Sequence, residues 1–162
     1  MFTTIFKSSE KDQPDSQVDK IAKELFQQIS DARDEAKSGA VVDEQVFNDR
    51  LNSMFVAGYL IGYVDEYLSE LFSEDITKKQ SAEAIFESMF PGSGMKFVQG
   101  KLTTRKQAAT FSEDDENYQE VAKQCTAFDK GMADAQSEVV EFLQEKGPRP
   151  RLLKEYMLLG DS

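Results

Sequence analysis

Apolar side chains recur in the last third of the chain at intervals that alternate between three and four residues. This spacing forms one stripe along an α-helix and is typical of helices that pack at small crossing angles. The stripe consists of Tyr118, Val121, Cys125, Phe128, Met132, Ala135, Val139 and Phe142. The four acids of 113–116 suit a first helical turn, and Gly147 with Pro148 forms a stop signal. We therefore predict a helix over about 113–146.

A second long helix is predicted over about 44–72, with Asp43 as its N-cap. Apolar residues cover most of its circumference, which is typical of a helix at the centre of a bundle. Shorter helices are predicted over 17–37 and 78–90, whereas 95–111 fits either a helix or a small hairpin. Together these segments predict an all-α fold, a single-domain bundle of four to five helices built around the two long ones.

The distribution of polar residues and prolines predicts three segments along the chain. Residues 1–16 are expected to form a flexible lead-in, and 17–147 the helical bundle domain. Two prolines then lead into a C-terminal tail over 148–162 that contains a short amphipathic helix. A helix this short is not stable alone, so we expect it to dock on the bundle or on a neighbouring molecule.

A short pattern recurs mid-way along both long helices with an offset of 73 residues. It contains Phe55, Gly58 and Gly62 in the first helix, and Phe128, Gly131 and Ala135 in the second. Small residues four apart allow another backbone to approach closely. The pattern therefore indicates either the place where the two long helices cross or an ancestral duplication.

The chain contains no His and only one Cys, which excludes several kinds of catalytic site. Ser-His-Asp and Cys-His units lack their base, and His-ligated zinc is impossible. One Cys cannot form an internal disulfide or a Cys-based zinc site. The sequence also has no cofactor-binding motif, so we expect no cofactor.

Charge is segregated along a chain whose net charge is −11. The segments 41–90 and 112–146 are strongly acidic, whereas 91–111 contains only basic charges. The overall balance argues against nucleic-acid binding, because phosphates would be repelled. The basic residues are Lys96, Lys101, Arg105 and Lys106. They could bind an anion or an acidic partner, or they could neutralise the acidic helices within the same fold.

The tyrosines Tyr59, Tyr63 and Tyr67 step by four residues along one side of the second long helix. Tyrosine combines apolar area with a polar tip, so the three could line a groove for a partner helix. Alternatively they form a rim of the core covered by a neighbouring helix. The tail contributes apolar residues that must also dock. The predicted partner-binding residues are Tyr59, Tyr63, Tyr67, Leu152, Leu153 and Tyr156.

Two acidic pairs have the i, i+3 spacing that places both carboxylates on one helix face, namely Asp31 with Asp34 and Glu138 with Glu141. Such pairs can bind Mg²⁺ through oxygen ligands, and all-α nucleotide pyrophosphohydrolases use two of them on adjacent helices. Here the pairs are far apart in the sequence and chance pairs are expected among 30 acids. We therefore predict no metal site.

These observations favour a non-enzymatic protein–protein interaction module, such as an adaptor, small chaperone or regulatory subunit, and a homodimer is possible. One alternative is a Mg²⁺-dependent all-α hydrolase of a phosphorylated small molecule. Another is an acidic decoy of a nucleic-acid-binding protein. The first residues do not resemble a signal peptide, and the longest uncharged apolar stretch, Met54 to Val64, is too short to span a bilayer. We therefore expect a cytoplasmic protein without membrane insertion.

Overall fold

The computed structural model describes residues 14–39, 42–144 and 147–160, which form seven α-helices and no strand. The helices are α1 (Pro14–Gly39), α2 (Glu44–Leu51), α3 (Met54–Leu71), α4 (Asp75–Met89), α5 (Gly94–Ala108), α6 (Tyr118–Leu143) and α7 (Leu152–Leu159). The predicted all-α fold is confirmed for the described residues, whereas the predicted count of four to five helices is not confirmed, since the described residues form seven. Most of the predicted lead-in and residues 145–146 lie outside the described residues.

The segment predicted as one helix over 44–72 forms two helices, because the helix is interrupted at Asn52 and Ser53. The Ser53 hydroxyl accepts a hydrogen bond from the Val56 N–H at 3.3 Å and thereby starts α3. A serine at this position satisfies a backbone donor that has no partner within the helix. Asp43 caps α2 in the same way, as predicted, and accepts from the Val46 N–H at 2.9 Å.

Other helix boundaries also differ from the sequence predictions. α1 begins at Pro14 rather than at 17, because proline at the first helical position removes a donor that would have no partner. α6 begins at Tyr118 rather than at 113. In the segment before Tyr118, the Asp115 carboxylate accepts a hydrogen bond from the Ser112 N–H at 2.7 Å, which stabilises a turn instead of a helix. For 95–111, where the sequence allowed either a helix or a hairpin, the structure forms the helix α5 over Gly94–Ala108.

α3 and α6 pack so closely that glycines of each helix touch the backbone of the other. A Cβ atom on Gly58 would collide with the Phe128 carbonyl, and one on Gly131 would collide with the Phe55 carbonyl. At Gly62 a Cβ atom would lie 2.7 Å from the Met132 oxygen. The recurring pattern therefore marks the place where these two helices meet, as predicted.

The contact partners also give the relative direction of α3 and α6. Gly58 faces Phe128, and Gly62 faces Met132, four residues further along both helices. The two helices therefore run parallel, with a shift that matches the sequence offset of the pattern. The duplication hypothesis stays untested, because close parallel packing alone explains the pattern.

α3 lies at the centre of the fold. Its inward-facing and sideways-facing residues include Val56, Tyr59, Leu60 and Tyr63, all fully buried. α6 covers one side of α3, while α1, α4 and α7 contribute buried apolar residues to the same core. Among the described residues, no helix has the length and apolar character needed to cross a membrane.

Candidate partner-binding groove

The short helix α7 docks on the bundle through one apolar side. Leu153 and Met157 are fully buried in the core. The ring of Tyr156 stacks on Phe55 with 4.3 Å between centroids, and its hydroxyl donates to Ser53 Oγ at 3.0 Å. An eight-residue helix is not stable by itself, so these contacts decide whether α7 forms.

The carboxylate of Glu138 holds the N-terminus of α7. Its oxygens accept hydrogen bonds from the Arg151 N–H at 2.7 Å and from the Leu152 N–H at 3.2 Å. The Tyr59 hydroxyl donates to the same carboxylate at 2.5 Å. A negative charge at this position satisfies backbone donors and interacts favourably with the helix dipole. Glu138 therefore joins α3, α6 and α7.

Gln28 adds a polar contact from α1 to the same region. Its side-chain amide donates to the Tyr59 hydroxyl at 3.2 Å, and its carbonyl oxygen accepts from the Lys154 N–H at 3.3 Å. Lys154 also forms an ion pair with Glu35 at 3.2 Å. At the other end of α7, the Arg50 guanidinium donates to the Met157 carbonyl at 3.1 Å. Both ends of α7 are thus tied to the bundle.

The three tyrosines predicted to bind a partner lie in the core. Tyr59 and Tyr63 are fully buried and Tyr67 is 1% exposed. The Tyr63 hydroxyl donates to Glu24 at 2.9 Å. Because the rings are enclosed, they cannot form an open groove in this structure. The groove interpretation is therefore wrong for these residues, and the core interpretation applies.

Burial raises the pKa of both Tyr59 and Tyr63 well above the ordinary value for tyrosine, and the neighbouring carboxylates of Glu138 and Glu24 raise it further. The pKa of Tyr67 is also raised, first by burial and then by the charge of Glu24. The Tyr67 hydroxyl makes no hydrogen bond with the described residues. All three hydroxyls therefore stay protonated in the folded protein, and those of Tyr59 and Tyr63 serve as donors.

An open groove lies between the part of α6 from Tyr118 to Asp134 and the outer side of α7. Its volume is about 680 Å³. Its apolar lining consists of Phe55, Ala122, Ala127, Leu152, Tyr156 and Leu159. Leu159 is 72% exposed, which makes it the most exposed large apolar side chain of the described residues. The groove therefore presents apolar surface that none of the described residues covers.

The structure brings only part of the predicted partner-binding set to this groove. Leu152 and Tyr156 are half-buried and line it, whereas Leu153 points into the core. Sequence reasoning missed Ala122, Ala127 and Leu159. Leu159 was recognisable as the last apolar residue of the tail, but the alanines carry no signal, because their exposure depends on where α7 docks.

The predicted anion-binding residues are divided between internal contacts and solvent. Arg105 forms two hydrogen bonds with the Asp129 carboxylate, at 3.1 and 2.9 Å. Lys101 donates to the Asn52 carbonyl at 2.6 Å, and burial lowers its pKa. Lys96 and Lys106 are exposed and make no hydrogen bond or ion pair with the described residues. Two of the four side chains therefore form contacts within the fold, and the other two are exposed.

The acidic pairs also have other roles. Both oxygens of Glu138 accept protein hydrogen bonds, and Asp31 accepts from the Gln27 amide at 2.7 Å. Within the part of the chain that the structure describes, no group of three or more potential ligand residues could hold a metal ion. The geometry gives the hydrolase hypothesis no support.

Comparisons with protein-family models, with curated proteins and with solved structures found no match to this chain. The groove and its charges are therefore the basis for a functional proposal.

Proposed function

We propose that this protein is a non-enzymatic protein–protein interaction module that binds a segment of a partner protein in the groove between α6 and α7. The observation that carries the proposal is the exposed apolar lining of the groove, above all Leu159 at 72% exposure. A single exposed leucine is common on protein surfaces. Here it continues the apolar lining formed by Tyr156 and Ala122, so a partner side chain would bury several apolar surfaces together.

The size of the groove suits this function. A volume of about 680 Å³ accommodates several side chains of a docked segment. Hydrogen bonds to Glu138 and from Arg50 also hold the two ends of α7 on the bundle, which favours a preformed groove. A preformed surface reduces the entropy lost on binding, which favours recognition of a short segment.

Site-specific photo-crosslinking in the cell of origin tests this function. A photoreactive amino acid is placed at Lys123, which lines the groove, and at Lys79 on α4 as the control. We expect a covalent adduct with a second protein from position 123 and none from position 79. Adding Leu159→Asp should reduce the adduct.

Two outcomes would contradict the proposal. Equal adducts from positions 123 and 79 would show that the groove has no special role. An adduct of the chain with itself would identify the occupant as a second copy, which corresponds to the possible homodimer and not to a partner protein.

A further inference from the structure

We propose that the occupant of the groove is an amphipathic helix that carries its basic residues at one end, next to the acidic turn over 113–116. This inference rests on the proposed function above and specifies the chemistry of the partner. It follows from the position of four acidic residues at one end of an apolar groove.

The acidic turn immediately precedes, along the chain, the part of α6 that lines the groove. Tyr118 and Gln119, which begin α6, line the groove, and all four residues of 113–116 are exposed. Backbone hydrogen bonds from Asp115 N–H to the Ser112 carbonyl and from Tyr118 N–H to the Asp115 carbonyl, each 3.0 Å, fix the turn in place. The acids therefore lie at a defined end of the groove.

Most of the charge in this turn has no neutralising partner among the described residues. Asp115 accepts a hydrogen bond from the Ser112 N–H. Glu113, Asp114 and Glu116 form no hydrogen bond or ion pair with any described residue. Three exposed carboxylates are therefore available to cations of a docked segment.

The groove itself contains charges of both signs, which restricts where the partner can be basic. Lys130 forms an ion pair with Asp134 at 2.6 Å, and Glu155 forms one with Arg151 at 3.0 Å. Lys123 forms no ion pair with the described residues. A segment that is basic along its whole length would be repelled by Lys123, whereas one with cations only near 113–116 would not.

The backbone around the groove favours a helical occupant over a strand. Both walls are α-helices whose backbone groups are hydrogen-bonded internally, so there is no sheet edge that a strand could extend. α6 lines the groove from Tyr118 to Asp134, which corresponds to about 24 Å at 1.5 Å per residue. A helix of about four turns matches that length.

Fluorescence anisotropy with designed peptides tests this inference on the full chain. Two labelled helical peptides of equal length share one leucine face, and one ends in four lysines where the other ends in four glutamates. We expect the lysine-ended peptide to bind about tenfold more tightly at low salt, since three exposed ion pairs supply an effect of this size. The difference should shrink at high salt.

Two variants with the same change in net charge show which acidic residues cause the preference for the lysine-ended peptide. Replacing the three available carboxylates, by Glu113→Gln, Asp114→Asn and Glu116→Gln, should abolish the preference for lysine. Asp115 is retained because it stabilises the turn. The control variant removes the same charge from exposed acids elsewhere, by Glu44→Gln, Asp65→Asn and Glu70→Gln, and should keep most of the preference.

Failure of this inference can be distinguished from failure of the proposed function. Leu159→Asp in the groove is compared with Ile76→Asp, an exposed apolar residue on α4 that is 64% exposed. If both peptides bind with equal affinity and only Leu159→Asp lowers that affinity, the groove is the binding site and the basic-end inference is overturned. If Leu159→Asp has no more effect than Ile76→Asp, the groove itself is not the binding site.

Discussion

Replacing Gly58 with alanine tests the close parallel contact between α3 and α6. The added methyl group would collide with the carbonyl oxygen and carbonyl carbon of Phe128, which are backbone atoms that cannot rotate away. The two helices would have to separate, and the contacts at Gly62 and Gly131 would loosen with them. Alanine also has a higher helix propensity than glycine, so two opposite effects compete.

The cost of overpacking at Gly58 is larger than the gain in helix propensity. The propensity gain is about 1 kcal/mol. Overpacking a tight contact costs about 1 to 3 kcal/mol, and the backbone collision at Gly58 belongs at the upper end of that range. We therefore expect Gly58→Ala to lower the free energy of unfolding by about 2 kcal/mol. For a chain of this size the Tm should fall by about 4 to 8 °C.

Gly100 in α5 is the matched control, because a Cβ atom there would meet nothing within 4 Å. Gly100→Ala should therefore stabilise the protein by about 0.5 to 1 kcal/mol through propensity alone. Both variants are compared with the original chain by urea unfolding monitored by circular dichroism. If Gly58→Ala stabilises the protein as Gly100→Ala does, α3 and α6 do not touch at this position.

Three further predictions concern α7, the buried tyrosines and the basic segment. Glu138→Ala removes the hydrogen-bond acceptor at the N-terminus of α7 and should destabilise this helix by about 1 kcal/mol. Hydrogen exchange of the α7 amides should then become about fivefold faster. The control variant Glu141→Ala replaces an exposed residue and should leave the exchange rate of α7 unchanged. Because the pKa of Tyr63 is raised by burial and then by Glu24, its ionisation occurs first in the unfolded chain. The protonated Tyr63 hydroxyl therefore contributes fully to the free energy of unfolding below about pH 10. This contribution is lost as the pH rises above that value, at about 1.4 kcal/mol per pH unit. Urea unfolding above pH 10 should show a smaller slope of stability against pH for Tyr63→Phe, and an unchanged slope would refute the assignment. A double-mutant cycle on Arg105 and Asp129 should give a coupling of about 0.5 to 1 kcal/mol that decreases in 1 M salt; zero coupling at low salt would contradict internal neutralisation.

The sequence predicted the helical class, and it offered the crossing of the long helices as one of two interpretations of the recurring pattern, because both features depend on local patterns. The alternation of three and four residues along α6 survives in the structure, where Phe128, Ala135 and Val139 are buried. Small residues at Gly58 and Gly131 identified the crossing because only a close backbone approach requires them at those positions.

Other features depended on tertiary contacts that no local pattern reveals. The interruption at Ser53 falls within a continuous apolar stripe, which by itself favours an unbroken helix. Ser53 can be identified as the N-cap of α3 only when the end of the preceding helix is known. The tyrosines were expected either at a groove or in the core, and the choice depended on α1 and α7. Glu138 appeared as half of an acidic pair, although it caps α7, which lies 13 residues further along the chain at Arg151.

Chemical-shift mapping by NMR is the most direct test of the groove as the binding surface. Isotope-labelled protein is titrated with the lysine-ended peptide, and backbone amide shifts are followed along every helix. We expect the largest changes at Ala122, Ala127 and Leu159, with α4 unaffected around Ile76. Changes centred on α4, with α6 and α7 unchanged, would contradict the account.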